Sequence, residues 1–181
     1  MTLDDLKTAL PDYAKDLRLN LSAIQRSEVL SPAQLFGTIA VAAIASREPT
    51  LQRAALAAAR EHLSPEALDA AKTAAALMGM NNVYYRFVHL VGDAEYGRLP
   101  ARLRMQGMLS PAVPKLDFEL WSLAVSAVNG CGACLASHEK ALRQAGATPA
   151  MVQEAARVAA VIHGVAVVLA SEAAQAEAPA A

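Results

Sequence analysis

Between Leu3 and Val29, apolar residues such as Leu17, Leu21 and Ile24 recur at helical intervals against charged neighbours such as Lys15 and Arg26, and Pro11 interrupts the run. The pattern predicts one short and one longer amphipathic helix. Ser31-Pro32 then sets an N-cap before a proline at the first helical position, and the apolar run from Leu35 to Ala45 ends near Pro49. Thr50 is the expected cap of a helix over Leu51 to His62. Ser64-Pro65-Glu66 repeats the cap-proline signal and opens an alanine-rich helix expected to run to Met78, before Gly79. Further on, a helix over Asp117 to Val128 ends at Asn129-Gly130, and another starts at about Cys131 and runs through Ala145 to Gly146.

A shift of 85 positions superposes the second half of the chain on the first without gaps. Leu35-Phe36 falls on Leu120-Trp121, and the segment from Asp69 to Gly79 falls on Glu154 to Gly164, with the acid, the cation (Lys72 on Arg157) and the glycine in register. This points to an internal duplication, with repeats of about 31–91 and 116–176. The connector of about 92–115 carries Gly97, Pro100, Gly107, Pro111 and Pro114 and reads as ordered rather than as a domain linker. Cys131 lies opposite Ser46, Cys134 opposite Pro49, Glu119 opposite Gln34 and His138 opposite Arg53. If the halves share a fold, the scaffold does not require these four residues in the second half.

Composition supports helices throughout. The 181 residues are 55% hydrophobic but only 4% aromatic, and alanine, leucine and valine carry the apolar weight. The expected class is all-α, in one domain over residues 1–181. The formal net charge of −1, with no basic block, leaves no electrostatic footprint for nucleic acid, so a protein or small-molecule partner is expected. Asp4 and Asp5 stand where a secretory signal would have a basic segment, which suggests a cytoplasmic protein. The uncharged stretch from Leu120 to Ser137 is about long enough to span a bilayer. Asn129-Gly130 and Gly132 break it, and a buried helical hairpin with no membrane contact fits better.

The chemistry concentrates on Cys131-Gly132-Ala133-Cys134, which holds both cysteines of the chain and is followed by His138. Both sulfurs are expected at a helix N-terminus, where unsatisfied N–H groups and the helix dipole favour thiolate. Cys134 and His138 are four apart and share a face, so Cys134 is the thiol that an imidazole can activate. In a hairpin folded at Asn129-Gly130, Glu119 lies ten residues before the turn and His138 eight after it. At about 1.5 Å per residue their heights are roughly 15 and 12 Å, so contact is expected, in the order Glu119, His138, Cys134. Other readings remain: a zinc site needing all four of Cys131, Cys134, His138 and Glu119, or two small apolar cysteines in a helix core. Haem attachment would need histidine where Leu135 stands, and a thioredoxin fold would need strands. His163, Met78, Met80 and Trp121 read as packing residues, His163 in a core or an interface, and His62 and His89 have no evident partner.

These residues carry a resemblance. Glu119, the run from Val128 to Cys134, Ser137-His138-Glu139 and the segment from Met80 to Arg86 are similar to those of the alkyl hydroperoxidase AhpD family, within the carboxymuconolactone decarboxylase-like superfamily. The resemblance implies an all-helical duplicated bundle, with N-terminal helices followed by two related four-helix halves, assembled as a homotrimer. It also implies reduction of alkyl hydroperoxides and of the oxidised peroxiredoxin AhpC. By the same resemblance Cys134 is the peroxide-reactive and partner-linked thiol, Cys131 resolves it as a Cys131–Cys134 disulfide, and His138 with Glu119 manages the proton. Electrons are expected from dihydrolipoamide on a 2-oxoacid dehydrogenase component, with no bound flavin, haem or metal. Some members have a histidine just before the second cysteine, where this chain has Ala133. Rival functions are a decarboxylase or isomerase of a small lactone, against which the intact C-x-x-C argues, and a zinc or redox-sensing module.

Overall fold

A computed structural model describes residues 1–176, and the described residues contain nine α-helices, two short 3-10 turns and no strand. The N-terminal segment forms α1 (Leu3–Ala9) and α2 (Lys15–Ile24), separated by Pro11 and a 3-10 turn. Thr2 and Asp5 close a reciprocal capping box that starts α1. Helix α3 (Pro32–Ser46) begins with a second such box, Ser31 with Gln34, and with proline at its first position.

Helix α4 (Pro49–Ala59) is capped by Glu48 and not by the expected Thr50. Pro49 takes the first helical position, so the cap falls on the residue before it. The Glu48 carboxylate accepts from the N–H groups of Thr50 and Leu51 at 3.0 and 2.5 Å.

Helix α5 (Pro65–Val91) runs straight through Gly79, where the sequence pattern suggested an end. Gly79 packs closely on nothing and adopts no left-handed conformation; the stop is Gly92, with φ +71°. Consequently the segment 31–91 contributes three helices, α3 to α5, and not four. After the short α6 (Ala94–Arg98), the second segment likewise contributes three: α7 (Lys115–Val128), α8 (Gly132–Gln144) and α9 (Pro149–Ala176). Displaced by 85, α3, α4 and α5 fall on α7, α8 and α9 to within about three residues at each end.

Helices α3 and α7 form the centre, packed on each other and both on α9. Each is buried on nearly every face, as expected of helices apolar all round. Their approach depends on Gly37, where a Cβ would come less than 3.0 Å from Nε1, Cε2 and Cζ2 of Trp121. The indole takes that space and donates from Nε1 to the Gln34 carbonyl at 3.3 Å. Trp121 is thus a core residue, as its apolar surroundings suggested.

Helix α9 is long and apolar enough to cross a bilayer by length and composition alone. It packs instead against α2, α3 and α7 within the bundle. It also buries Glu154, whose carboxylate takes two hydrogen bonds from Arg157 at 2.6 and 2.7 Å. The Arg157 guanidinium holds the Glu154 carboxyl below the usual glutamate range, against the opposing effect of burial. The stretch from Leu120 to Ser137 is no single helix, because Asn129 and Gly130 turn the chain between α7 and α8.

Candidate redox site

The site is built on the antiparallel pair α7 and α8. The turn between them uses Gly130 at φ +67°, a conformation costly for any side chain with a Cβ. Three hydrogen bonds fasten it. Asn129 donates to the Asn82 carbonyl oxygen at 3.0 Å, Asn82 donates to Ser126 Oγ at 2.9 Å, and Arg86 donates to the backbone carbonyl of Asn129 at 2.6 Å. Helix α5 therefore anchors the loop that presents the cysteines.

Cys131 is the N-cap of α8 and Cys134 lies in its first turn. The two are joined as a disulfide with their Cα atoms 5.3 Å apart. Cys131 Sγ accepts the backbone N–H of Cys134 at 3.3 Å, taking the place that a serine or aspartate oxygen usually fills at a helix start. The sulfurs differ in surroundings: Cys131 is fully buried, whereas Cys134 is 6% exposed and lines a cavity of about 270 Å³.

Glu119 on α7 and His138 on α8 meet as the helical rise predicts, with Glu119 Oε2 2.7 Å from His138 Nδ1. Both side chains are nearly buried. The other ring nitrogen, Nε2, lies 3.1 Å from Met78 Sδ and makes no hydrogen bond to Cys134 in this disulfide state. His138 and Cys134 share the wall of the cavity, which places the imidazole beside the sulfur without bonding to it.

Sequence reasoning missed the opposite wall. Met78, Asn81 and Tyr85 reach it from α5, and Met105 and Met108 from the connector. Met78 looked like packing, and it is 1% exposed, yet it touches the histidine. The signal that was available is the segment from Met80 to Arg86, which resembled the family without suggesting a role. His163 is exposed in the chain and not in its core, with Nδ1 3.2 Å from Ser46 Oγ. His62 stacks on Phe36, ring centroids 3.9 Å apart.

In the zinc reading, both sulfurs would have to be free, and here they are consumed in the S–S bond. Among the described residues, no group of three or more His, Cys, Asp or Glu side chains is placed to hold a metal ion.

Comparison with known sequences identifies the family. Residues 94–177 match the carboxymuconolactone decarboxylase family. Alkyl hydroperoxide reductase AhpD of Gluconacetobacter diazotrophicus is 56% identical over 181 residues, which is 100% of this chain and 99% of that protein. The Streptomyces avermitilis protein of the same name is 56% identical over 177 residues, 98% of this chain and 100% of its own length. That of Bradyrhizobium sp. strain BTAi1 is 56% identical over 169 residues, 93% of each chain. With identity of this order along the full length, the chain belongs to the AhpD family of alkyl hydroperoxide reductases.

Proposed function

We propose that the protein reduces alkyl hydroperoxides through the Cys131–Cys134 pair and is itself reduced by dihydrolipoamide. The observation that carries this reading is the unequal burial of a formed disulfide, whose Cys134 faces a cavity also lined by His138, the partner of Glu119. In the reduced enzyme, the Cys134 thiolate attacks the terminal oxygen of the hydroperoxide. An S–O bond forms, the O–O bond breaks, and the departing alkoxide takes a proton to leave as the alcohol. Cys131, as thiolate, then attacks the sulfenic sulfur of Cys134. The hydroxyl leaves, takes up the proton that Cys131 had given up and becomes water, and the disulfide closes. A dithiol returns two electrons and two protons.

His138 and Glu119 manage the protons. A thioether has no proton to give, so the 3.1 Å contact with Met78 is a hydrogen bond only when Nε2 carries hydrogen. Nδ1 of the same ring faces the Glu119 carboxylate at 2.7 Å, which fixes the orientation of the imidazole. In this relay the His138 ring gives a proton to the Cys134 thiolate released when the disulfide opens and takes it back before attack. Ala133, where some relatives have a histidine, leaves this pair as the local relay.

The same scheme accommodates the partners that the family resemblance implies. Cys134, the sulfur at the cavity, would form the mixed disulfide with the peroxiredoxin AhpC, and a lipoyl-bearing 2-oxoacid dehydrogenase component would reduce it. A homotrimer working in the cytoplasm belongs to the same reading. Val83, Phe87, Leu90 and Val91 at the end of α5 are exposed large apolar residues, which supports assembly through that face.

Turnover of cumene hydroperoxide with dihydrolipoamide tests the proposal. Cys134→Ser is expected to abolish it, and retained activity in that variant would overturn the scheme. One equivalent of hydroperoxide should remove two thiols from reduced, zinc-free protein.

A further inference from the structure

Two adjacent asparagines of α5 have opposite fates. Asn82 spends both ends of its amide on the turn below the cysteines, with Ser126 and Asn129. Asn81 has no such partners. It is 4% exposed, its Nδ2 lies 3.8 Å from the thioether of Met108, and its Oδ1 is buried with no hydrogen-bond partner. A thioether accepts and does not donate, so the NH₂ end of the amide faces Met108 and the carbonyl is the end left free. Buried carbonyl oxygens are nearly always paired, because leaving one unpaired forfeits its solvation.

The fold does not ask for an amide here. The residue 85 positions later, on α9, is Ala166, which is also buried. Asn81 lines the cavity that holds Cys134 and His138, among Met78, Tyr85, Met105 and Met108. Met78, Met105 and Met108 make the wall around Asn81 apolar, while Ser137 and His138 line the side of Cys134, so an unpaired acceptor here suits a ligand with one hydrogen-bond donor and an apolar body. An alkyl hydroperoxide has that form, and its single O–H sits on the oxygen that a thiolate attacks.

We propose that Asn81 is the substrate-positioning residue for the hydroperoxide, its Oδ1 accepting the peroxide O–H so that the terminal oxygen is presented to Cys134. The proposal rests on the peroxidase reading above. Asn81 holds the hydrogen of the oxygen that ends on sulfur, while the alkyl group lies against the methionine side chains and the departing alkoxide takes its proton from solvent or the His138 pair. Nothing in this role touches the reductive half of the cycle, in which no O–H donor need be held.

The test measures the two half-reactions separately in Asn81→Leu and Asn81→Ala; the alanine variant repeats the side chain of the buried Ala166 and guards against a misfolded leucine variant. Reduced protein is mixed with cumene hydroperoxide and the loss of thiols followed, and the disulfide form is reduced with dihydrolipoamide. Oxidation is expected to slow on the order of tenfold, the cost of one hydrogen bond to substrate. Reduction, the pH profile of Cys134 alkylation and Tm should stay close to wild type, or Tm should rise. Oxidation at the wild-type rate in a folded variant overturns the proposal. So does an equal fall in both half-reactions or a displaced alkylation profile, each of which would make Asn81 part of the scaffold or of the thiolate machinery. If the unaltered protein loses no thiols to the hydroperoxide, it is the peroxidase reading that fails.

Discussion

Glu119 Oε2 lies 2.7 Å from His138 Nδ1 across the α7–α8 hairpin, and this contact is the only hydrogen bond the Glu119 side chain makes among the described residues. The carboxylate orients the ring at the wall of the cavity that Cys134 also lines. Glu119→Gln keeps the size of the side chain and removes the charge. The expected result is slower alkylation of Cys134 in the reduced protein, on the order of tenfold near neutral pH, with a displaced pH profile and little change in Tm. Alkylation that follows the wild-type profile would take Glu119 out of the relay.

The contact of Gly37 with Trp121 governs stability. Alanine favours helix over glycine by about 1 kcal/mol at an open site. At residue 37 the added Cβ meets a rigid ring at less than 3.0 Å, and the indole is only 1% exposed and bonded to the Gln34 carbonyl, so overpacking should win. Gly37→Ala is expected to lower unfolding stability by about 1–3 kcal/mol. Urea denaturation followed through Trp121, the one tryptophan, measures it directly. An unchanged or raised midpoint would mean that the ring can move aside.

The buried Glu154 predicts a pH dependence of definite sign. Its carboxyl is held low by Arg157, so the pair's contribution is present in full above the carboxyl's unfolded value and is lost as pH falls through the depressed folded one. Arg157→Gln should therefore cost about 1 kcal/mol at pH 7, since the guanidinium is 43% exposed and partly screened. The difference from wild type should shrink as the solution is acidified below the ordinary glutamate range. A difference that persists in acid would assign the effect to lost packing of the arginine stem.

Much of the site was legible because its geometry is local. Glu119 and His138 flank one turn of the chain, and a fixed rise per residue decides their heights. The helix starts at Ser31 and Ser64 were legible for the same reason, since cap and proline lie together there, and the start at Cys131 because Asn129-Gly130 ends the helix before it. What was hidden comes from farther away. Asn81 and Met108 reach the cavity across α5 and the connector, and no periodicity within a segment encodes which face of α5 meets α8. Gly79 misled because a glycine on an uncrowded helix face and a glycine that ends a helix read alike in sequence; only the conformation at Gly92 separates them.

One atom does two jobs at the start of α8. Cys131 Sγ is a partner in the disulfide and also the acceptor that caps the helix at the N–H of Cys134. Thiolate is a far better acceptor than a disulfide sulfur, so electron transfer should be written into the backbone as well as into the side chains. Reduction should then tighten the first turn of α8 and slow hydrogen exchange at the Cys134 amide. A partner protein meeting this face could thus sense the oxidation state as a difference in local rigidity, before any sulfur is touched.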